Sequence, residues 1–286
     1  MKSLGLIAEL RETVLEWRAA GDRIAFVPTM GNLHDGHLRL VNEARSLADR
    51  VVVSVFVNPS QFGPFEDFGA YPRTPAEDAA KLGALDVDLL YLPEVAEMYP
   101  DDPARMAFIE LPGLSEDLCG KFRPGHFRGV ATVVLKLFNQ VQPDLAVFGE
   151  KDYQQLTIIR RMVRDMNLPV DILGVPTVRE SNGLAMSSRN AYLSKDDRVR
   201  AGLLFAALCQ AGEALQRGCR DFSVIEDRQT KALSDAGFGV DYFAIRRQDD
   251  LRLPTSEDLS LVVLVAARLG RTRLIDNLKV GLDLLS

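Results

Sequence analysis

Histidine is scarce in this chain. Three occur in 286 residues, and two of them, His34 and His37, fall within one short stretch. Cysteine is as rare: Cys119, Cys209 and Cys219 are odd in number and show no C-x-x-C spacing. That leaves no disulfide framework, and the three read as reduced thiols in a cytoplasmic protein. No apolar run approaches the ~18–20 residues that span a bilayer. The most apolar stretch, residues 259–267, has the length of a strand. The first residues run into a charged segment by Glu9 and Arg11, without the apolar core or cleavage site of a signal peptide. A basic excess is also missing. The net charge is −6 and the sequence pI is about 5.3, which argues against bulk nucleic-acid binding but leaves room for a local basic pocket and a small anionic substrate. There is no internal repeat and no low-complexity tract.

What is present is ordinary for a globular chain: 47% hydrophobic and 26% charged residues, enough to bury a core without staples. The order of patterns is strand–helix alternation. A helix over residues 4–20 is followed by a strand at 24–27. A second helix runs to about residue 49. Continuous apolar strands are expected at 51–57, 87–92, 144–148 and 170–175, with helices at 76–85, 129–141 and 156–166 between them. Such runs, buried on both faces, are the mark of a parallel sheet. Residues 94–128 lack periodicity and are rich in Pro, Gly and Phe, as lids and binding loops are. Beyond Pro176 the character changes: helices at 195–217 and 225–236, then strands at 240–245, 259–267 and 272–276, expected to pair antiparallel. The reading is an α/β protein: a Rossmann-like parallel sheet flanked by helices over residues 1–176, and a smaller C-terminal α+β domain over 177–286.

The stretch Pro28-Thr29-Met30-Gly31-Asn32-Leu33-His34-Asp35-Gly36-His37 organises the rest. It reads as the end of a strand, a glycine turn and the start of a helix. Unpaired N–H groups at a helix start attract anions, and two imidazoles three residues apart make a phosphate clamp there. The plainer reading is that each histidine caps the turn. Further polar loops follow other strands: Asn58 with Gln61, then Lys151, Asp152 and Gln155. A Ser187-Ser188-Arg189 cluster opens the second domain. This inventory holds no paired carboxylates and no cysteine nucleophile. It suits electrostatic stabilisation of phosphate and recognition of a polar substrate, not covalent catalysis.

His34-Asp35-Gly36-His37 resembles the H-x-G-H form of the HIGH signature of the nucleotidyltransferase α/β-phosphodiesterase superfamily. Met186-Ser187-Ser188-Arg189 stands where that superfamily has its mobile KMSKS loop. Six segments in order are similar to the pantothenate synthetase (pantoate–β-alanine ligase) family: Pro28–His34, Phe56–Phe62, Tyr71-Pro72-Arg73, Arg123–Val130, Phe148–Asp152 and Met186–Asn190. The resemblance covers nearly the whole chain. It implies ATP-dependent condensation of pantoate with β-alanine through a pantoyl adenylate, with Mg²⁺ on the phosphates and a homodimeric assembly. It further implies that His34 and His37 bind the triphosphate, with His37 stabilising the transition state and Lys151 reaching the α-phosphate. Ser187 and Ser188 would hold phosphate, and Gly149 and Asp152 the ribose. Met30 and Val178 would line the adenosine site, with Met186 and Arg189 in the same ATP-binding set. Gln61 and Gln155 would bind pantoate, beside Asn58. Tyr71, His126 and Arg189 are candidates for the β-alanine end, Arg123 for the substrate-binding set, and Glu77 or Asp78 for Mg²⁺. Two departures stand out. Ser181-Asn182-Gly183 replaces an expected Ala-Asp-Gly, and Ala185 and Ser188 replace the two lysines of KMSKS. The residues alone leave three other readings open: a nucleotidylyltransferase that stops after moving a nucleotide onto a phosphate, a class I aminoacyl-tRNA synthetase fragment, and a non-catalytic nucleotide sensor.

Overall fold

The computed structural model describes residues 1–64, 66–101 and 105–282. Phe65, and residues 102–104 of the aperiodic segment 94–128, lie outside the described residues. The chain divides into two compact units: residues 1–150 with 158–176, and residues 151–157 with 177–286.

The first unit is built on six parallel strands: β1 (Lys2–Leu4), β2 (Ile24–Thr29), β3 (Arg50–Val55), β4 (Leu89–Tyr91), β5 (Leu145–Gly149) and β6 (Asp171–Val175). Their order across the sheet is β1-β4-β3-β2-β5-β6, and every adjacent pair is parallel. Connecting helices are α1 (Ile7–Ala20), α2 (Asp35–Leu47), α3 (Pro75–Gly83), α4 (Val95–Met98), α5 (Cys119–Phe122) and α6 (His126–Val141), with α7 (Tyr153–Asp165) belonging to this unit from residue 158 onward. β3 is buried along Val51, Val52, Val53 and Ser54, as expected of a central strand covered on both faces. Helix α2 turns Leu40, Val41 and Ala44 inward, at the spacing of a single apolar stripe. On α6, Phe138 stands edge-on to both Phe26 and Phe148, with ring centroids 6.4 Å apart in each pair. Such pairs contribute about 0.5–1.5 kcal/mol beyond their burial.

Strand succession runs from β2 outward through β3 and β4, then jumps back to β5 on the other side of β2. Ligands of open α/β sheets bind outside the carboxyl ends of the strands at such a reversal. β2 ends at Thr29, just before the glycine turn that leads to the histidines, and β5 ends at Gly149.

The second unit holds a three-stranded antiparallel sheet, ordered β7 (Gly239–Arg247), β8 (Ser260–Leu269), β9 (Thr272–Gly281). Helices α8 (Lys195–Ala201), α9 (Leu203–Gln216) and α10 (Phe222–Asp235) precede it. Leu204, Leu208 and Leu215 of α9 share one buried cluster with Val263 and Val265 of β8.

Several elements differ from expectation. Residues 2–4 form an edge strand, so α1 starts at Ile7 instead of residue 4. The single helix expected at 195–217 is two helices divided at Gly202, and β9 continues five residues past Asp276. Among its described residues, the aperiodic segment contains two single-turn helices, and α6 begins at His126, three residues early. No helix among the described residues is long and apolar enough to cross a membrane.

Candidate active site

The histidine turn is a reciprocal cap. His34 is the N-cap of α2, with extended backbone at φ −128° and ψ 174°. Its Nδ1 accepts the Gly36 N–H at 3.2 Å. His37 Nδ1 accepts the His34 N–H at 3.3 Å. An imidazole nitrogen that accepts an N–H carries the lone pair, so in both neutral rings the proton sits on Nε2. The rings lie 4.1 Å apart, centroid to centroid. The capping role and a phosphate role are therefore compatible. The caps use Nδ1, so the N–H of each neutral ring is Nε2–H, at the positive end of a helix of 13 residues.

The turn leading to the cap is held from outside. Gly31 sits at φ +82° and Asn32 at φ +52°. A Cβ on Gly31 would come within 2.8 Å of Val55 Cγ1, so only glycine fits. Asp78 on α3 is 1% exposed, and its carboxylate accepts the Asn32 N–H at 2.9 Å and the Leu33 N–H at 2.7 Å. The Thr74 hydroxyl donates to the same carboxylate. Lys81 Nζ donates to the Leu33 carbonyl at 2.7 Å.

The loop after β3 makes a short 3-10 turn, Pro59–Gln61, capped by Asn58. Asn58 and Gln61 are both buried. Asn58 Nδ2 donates to Gln61 Oε1 at 3.0 Å and to the Gly129 carbonyl. Asn58 Oδ1 accepts the Ser60 N–H, the Ser60 hydroxyl and the Tyr99 hydroxyl. Gln61 Nε2 donates to Met30 Sδ at 3.2 Å. The structure thus brings Met30, Asn58 and Gln61 together and fixes the Gln61 amide, leaving it one N–H and one oxygen lone pair for a ligand.

Arg123 and His126 lie behind Gln61. Arg123 forks onto Glu66, with Nε to Oε1 at 2.6 Å and Nη2 to Oε2 at 2.5 Å. Arg123 Nη1 is 3.0 Å from His126 Nε2, and His126 Nδ1 is 2.8 Å from the Gln61 carbonyl. Guanidinium can only donate, so His126 Nε2 accepts and its Nδ1–H donates to Gln61. The chain Glu66–Arg123–His126–Gln61 is one continuous tether on the backbone of Gln61. Burial pushes the Glu66 carboxyl up, but the Arg123 hydrogen bonds and charge outweigh it, and the net shift is downward. Tyr71 is buried, with its ring edge-on to Phe62 at 5.8 Å.

In the second unit, Lys151 Nζ lies 3.9 Å from Asp152. The Lys151 carbonyl accepts from Asn277 Nδ2 at 2.9 Å. Gln155 is half-buried. Val178 and Met186 are joined by a hydrogen bond from the Met186 N–H to the Val178 carbonyl, 2.9 Å. Ser187 caps a 3-10 turn, Ser188–Tyr192, its hydroxyl accepting the Arg189 N–H. Beside Val178, Arg179 forks onto the buried Asp276 at 2.6 and 2.9 Å and lies 3.8 Å from the Phe205 ring centroid. Burial pushes the Asp276 carboxyl up, while Arg179 and the Asn277 N–H pull against it. Asn182, where an aspartate was expected, accepts from Leu184 N–H and donates to the Arg198 carbonyl at 2.8 Å. An aspartate could make only the first bond.

The sequence of the chain matches, over residues 2–279, the family model described as pantoate-beta-alanine ligase. The chain belongs to the pantoate–β-alanine ligase family. A pantothenate synthetase of Methylococcus capsulatus is 61% identical to it over 283 residues, 99% of each chain. Among solved structures, the pantothenate synthetase of Thermus thermophilus superposes with a TM-score of 0.90 at 46% identity, covering 97% of this chain and 99% of that one. The pantoate–β-alanine ligase of Francisella tularensis, complexed with beta-gamma ATP and beta-alanine, gives 0.82 at 34% identity, covering 97% of each. As a pantoate–β-alanine ligase, the chain joins the carboxylate of pantoate to the amine of β-alanine at the expense of ATP.

Sequence reasoning did not find Glu66, Lys81, Arg179, Asp276 or Asn277. Each acts through a partner remote in sequence. Gly129 carried a signal in its place within Arg128-Gly129-Val130, but its role is spatial: a Cβ there would lie 2.4 Å from the Ser60 carbonyl oxygen.

Proposed function

We propose that the histidine turn activates ATP for attack by pantoate, and that the loop after β3 selects pantoate. The observation that carries this reading is the reciprocal cap, which fixes both imidazoles as Nε2–H donors at the start of α2. In the first step a pantoate carboxylate oxygen bonds to the α-phosphorus and the bond to pyrophosphate breaks. Charge grows on the phosphate oxygens, and preorganised donors act there. His34 and His37 supply two such donors, His37 serving the transition state. Lys151 serves the α-phosphate; Ser187 and Ser188 hold phosphate with hydroxyl and backbone N–H groups. Met30, Gly149, Asp152, Val178, Met186 and Arg189 bind the rest of the nucleotide. In the second step the β-alanine nitrogen bonds to the acyl carbon, AMP leaves and the ammonium proton is lost.

Gln61 and Gln155 bind pantoate. An amide both donates and accepts, which matches a hydroxy acid. Arg123 and His126 serve that site by holding Gln61, and Tyr71 by backing Phe62. Magnesium fits as a companion of the triphosphate. Among the described residues no group of three or more His, Cys, Asp or Glu is placed to hold a metal, and Mg²⁺ readily keeps phosphate and water as ligands. The enzyme is further proposed to be a cytoplasmic homodimer. The test is His37→Ala and Lys151→Ala, alone and together. Each is expected to slow pyrophosphate release by about 10²–10³-fold, the range for losing one transition-state donor. Full activity in the double variant would refute the assignment.

A further inference from the structure

We propose that Asp78 is the positioning residue of the histidine turn and not a metal ligand. The inference rests on the reading of that turn as the phosphate site. Two consecutive residues, Gly31 and Asn32, lie in the left-handed region. Asparagine tolerates this region best among the non-glycine residues, and two such residues in succession persist where their surroundings over-determine them. Successive N–H groups in such a turn form a concavity suited to an anion. Here the anion is the chain's own: the Asp78 carboxylate takes the Asn32 and Leu33 N–H groups at 2.9 and 2.7 Å. One helical turn further on, Lys81 takes the Leu33 carbonyl. Helix α3 thus grips both polar sides of the peptides that lead into His34.

The same geometry disqualifies Asp78 as a metal ligand. Its Oδ1 accepts from Leu33 N–H and from the Thr74 hydroxyl, which uses both lone pairs. Its Oδ2 accepts from Asn32 N–H, and the Cβ position of Gly31 lies 3.1 Å from that oxygen. The residue is 1% exposed. A metal could bind only by displacing the bonds that set the turn.

The test is Asp78→Asn in the full enzyme. An amide offers one oxygen and sets an NH₂ against a backbone N–H, so at least one hold is lost. The expected result is a fall in the rate of pyrophosphate release of about 10–100-fold, the effect of one charge-assisted bond. The Mg²⁺ concentration for half-maximal rate should move less than about twofold, since the metal's own ligands are untouched. With three histidines in the chain, ring ¹H–¹⁵N spectra resolve His34 and His37, and their resonances should shift. Should the rate loss instead be recovered by excess Mg²⁺, Asp78 is a metal ligand and the proposal falls. It falls as well if melting temperature drops while rate and ring resonances stay as in the wild type. Where Asp78→Asn does not fold, Lys81→Met tests the other half of the grip. It should lower the rate by roughly 10–100-fold, the effect of one hydrogen bond to a charged group, with shifted ring resonances; no change in either overturns the proposal. His37→Ala run beside these separates the two ideas. An active His37→Ala enzyme sinks the phosphate reading, whereas the ring resonances of Asp78→Asn report on positioning by themselves.

Discussion

Replacing Gly129 with alanine should disable pantoate binding through packing alone. Gly129 lies in the first turn of α6, where it faces the 3-10 turn that carries Gln61. An added Cβ would sit 2.4 Å from the Ser60 carbonyl oxygen, 2.6 Å from Ser60 C and 2.8 Å from the Gln61 Cα. All three are backbone atoms, so no rotamer relieves the clash. Ordinary contact distances near 3.5 Å require the helix and the turn to part by roughly 1 Å. The separation also pulls apart the bond from Asn58 Nδ2 to the Gly129 carbonyl, now 3.2 Å, and through Asn58 it loosens the Gln61 amide. Overpacking of this kind costs about 1–3 kcal/mol in stability. A misplacement of ~1 Å at a substrate-positioning group costs about 10²-fold in rate. The assays are urea unfolding followed by circular dichroism, and initial rates over a pantoate series. The expected outcome is a folded, less stable enzyme with kcat/KM for pantoate down about 30–100-fold and KM for ATP nearly unchanged. Wild-type kcat/KM for pantoate in a well-folded Gly129→Ala enzyme would refute the reasoning.

Two further outcomes follow from buried charge. Asp276→Asn leaves the Arg179 guanidinium without its anionic partner beside a carboxylate site only 4% exposed; breaking such a pair costs roughly 3–5 kcal/mol, and an unfolding free energy within error of the wild type would contradict it. Glu66→Gln gives a pH signature. The Glu66 carboxyl is held below its ordinary value of 4.5 in the folded protein, so its contribution is complete above that value and is lost as pH falls through the lower, folded one. The stability gap between wild type and Glu66→Gln should be present at pH 7 and close below about pH 4.5; a gap that widens on acidification would show the sign to be wrong.

The sheet was legible where its strands are buried on both faces. The run Val51-Val52-Val53 names a central strand, and the apolar run at residues 259–267 marks the middle strand of the antiparallel trio. β1 was not legible, because three residues at a sheet edge merge with the helical spacing of Leu6 and Leu10. β9 looked too short because Asp276 and Asn277 interrupt its apolar pattern. Those two are polar for a reason that only the fold displays: one holds Arg179, the other the Lys151 carbonyl. The histidine turn announced itself through rarity and spacing, and its tautomers followed from the cap geometry. Asp78 stands more than forty residues from the turn it grips, so its sequence neighbourhood suggested a metal instead. Arg123 and His126 read as substrate ligands because a charged residue in a loop carries no mark of an internal partner; the fork onto Glu66 and the bond to the Gln61 carbonyl appear only in three dimensions.

The central claim is that the chain activates pantoate before β-alanine takes part. Rapid-quench mixing of enzyme with ATP, Mg²⁺ and pantoate, with β-alanine withheld, tests it most directly. The account predicts a burst of one pyrophosphate per active site, little free AMP, and release of AMP with pantothenate only when β-alanine is added; in His37→Ala the burst should be slowed by about 10²-fold or more. Pyrophosphate release that waits for β-alanine, or a burst untouched by His37→Ala, would contradict it.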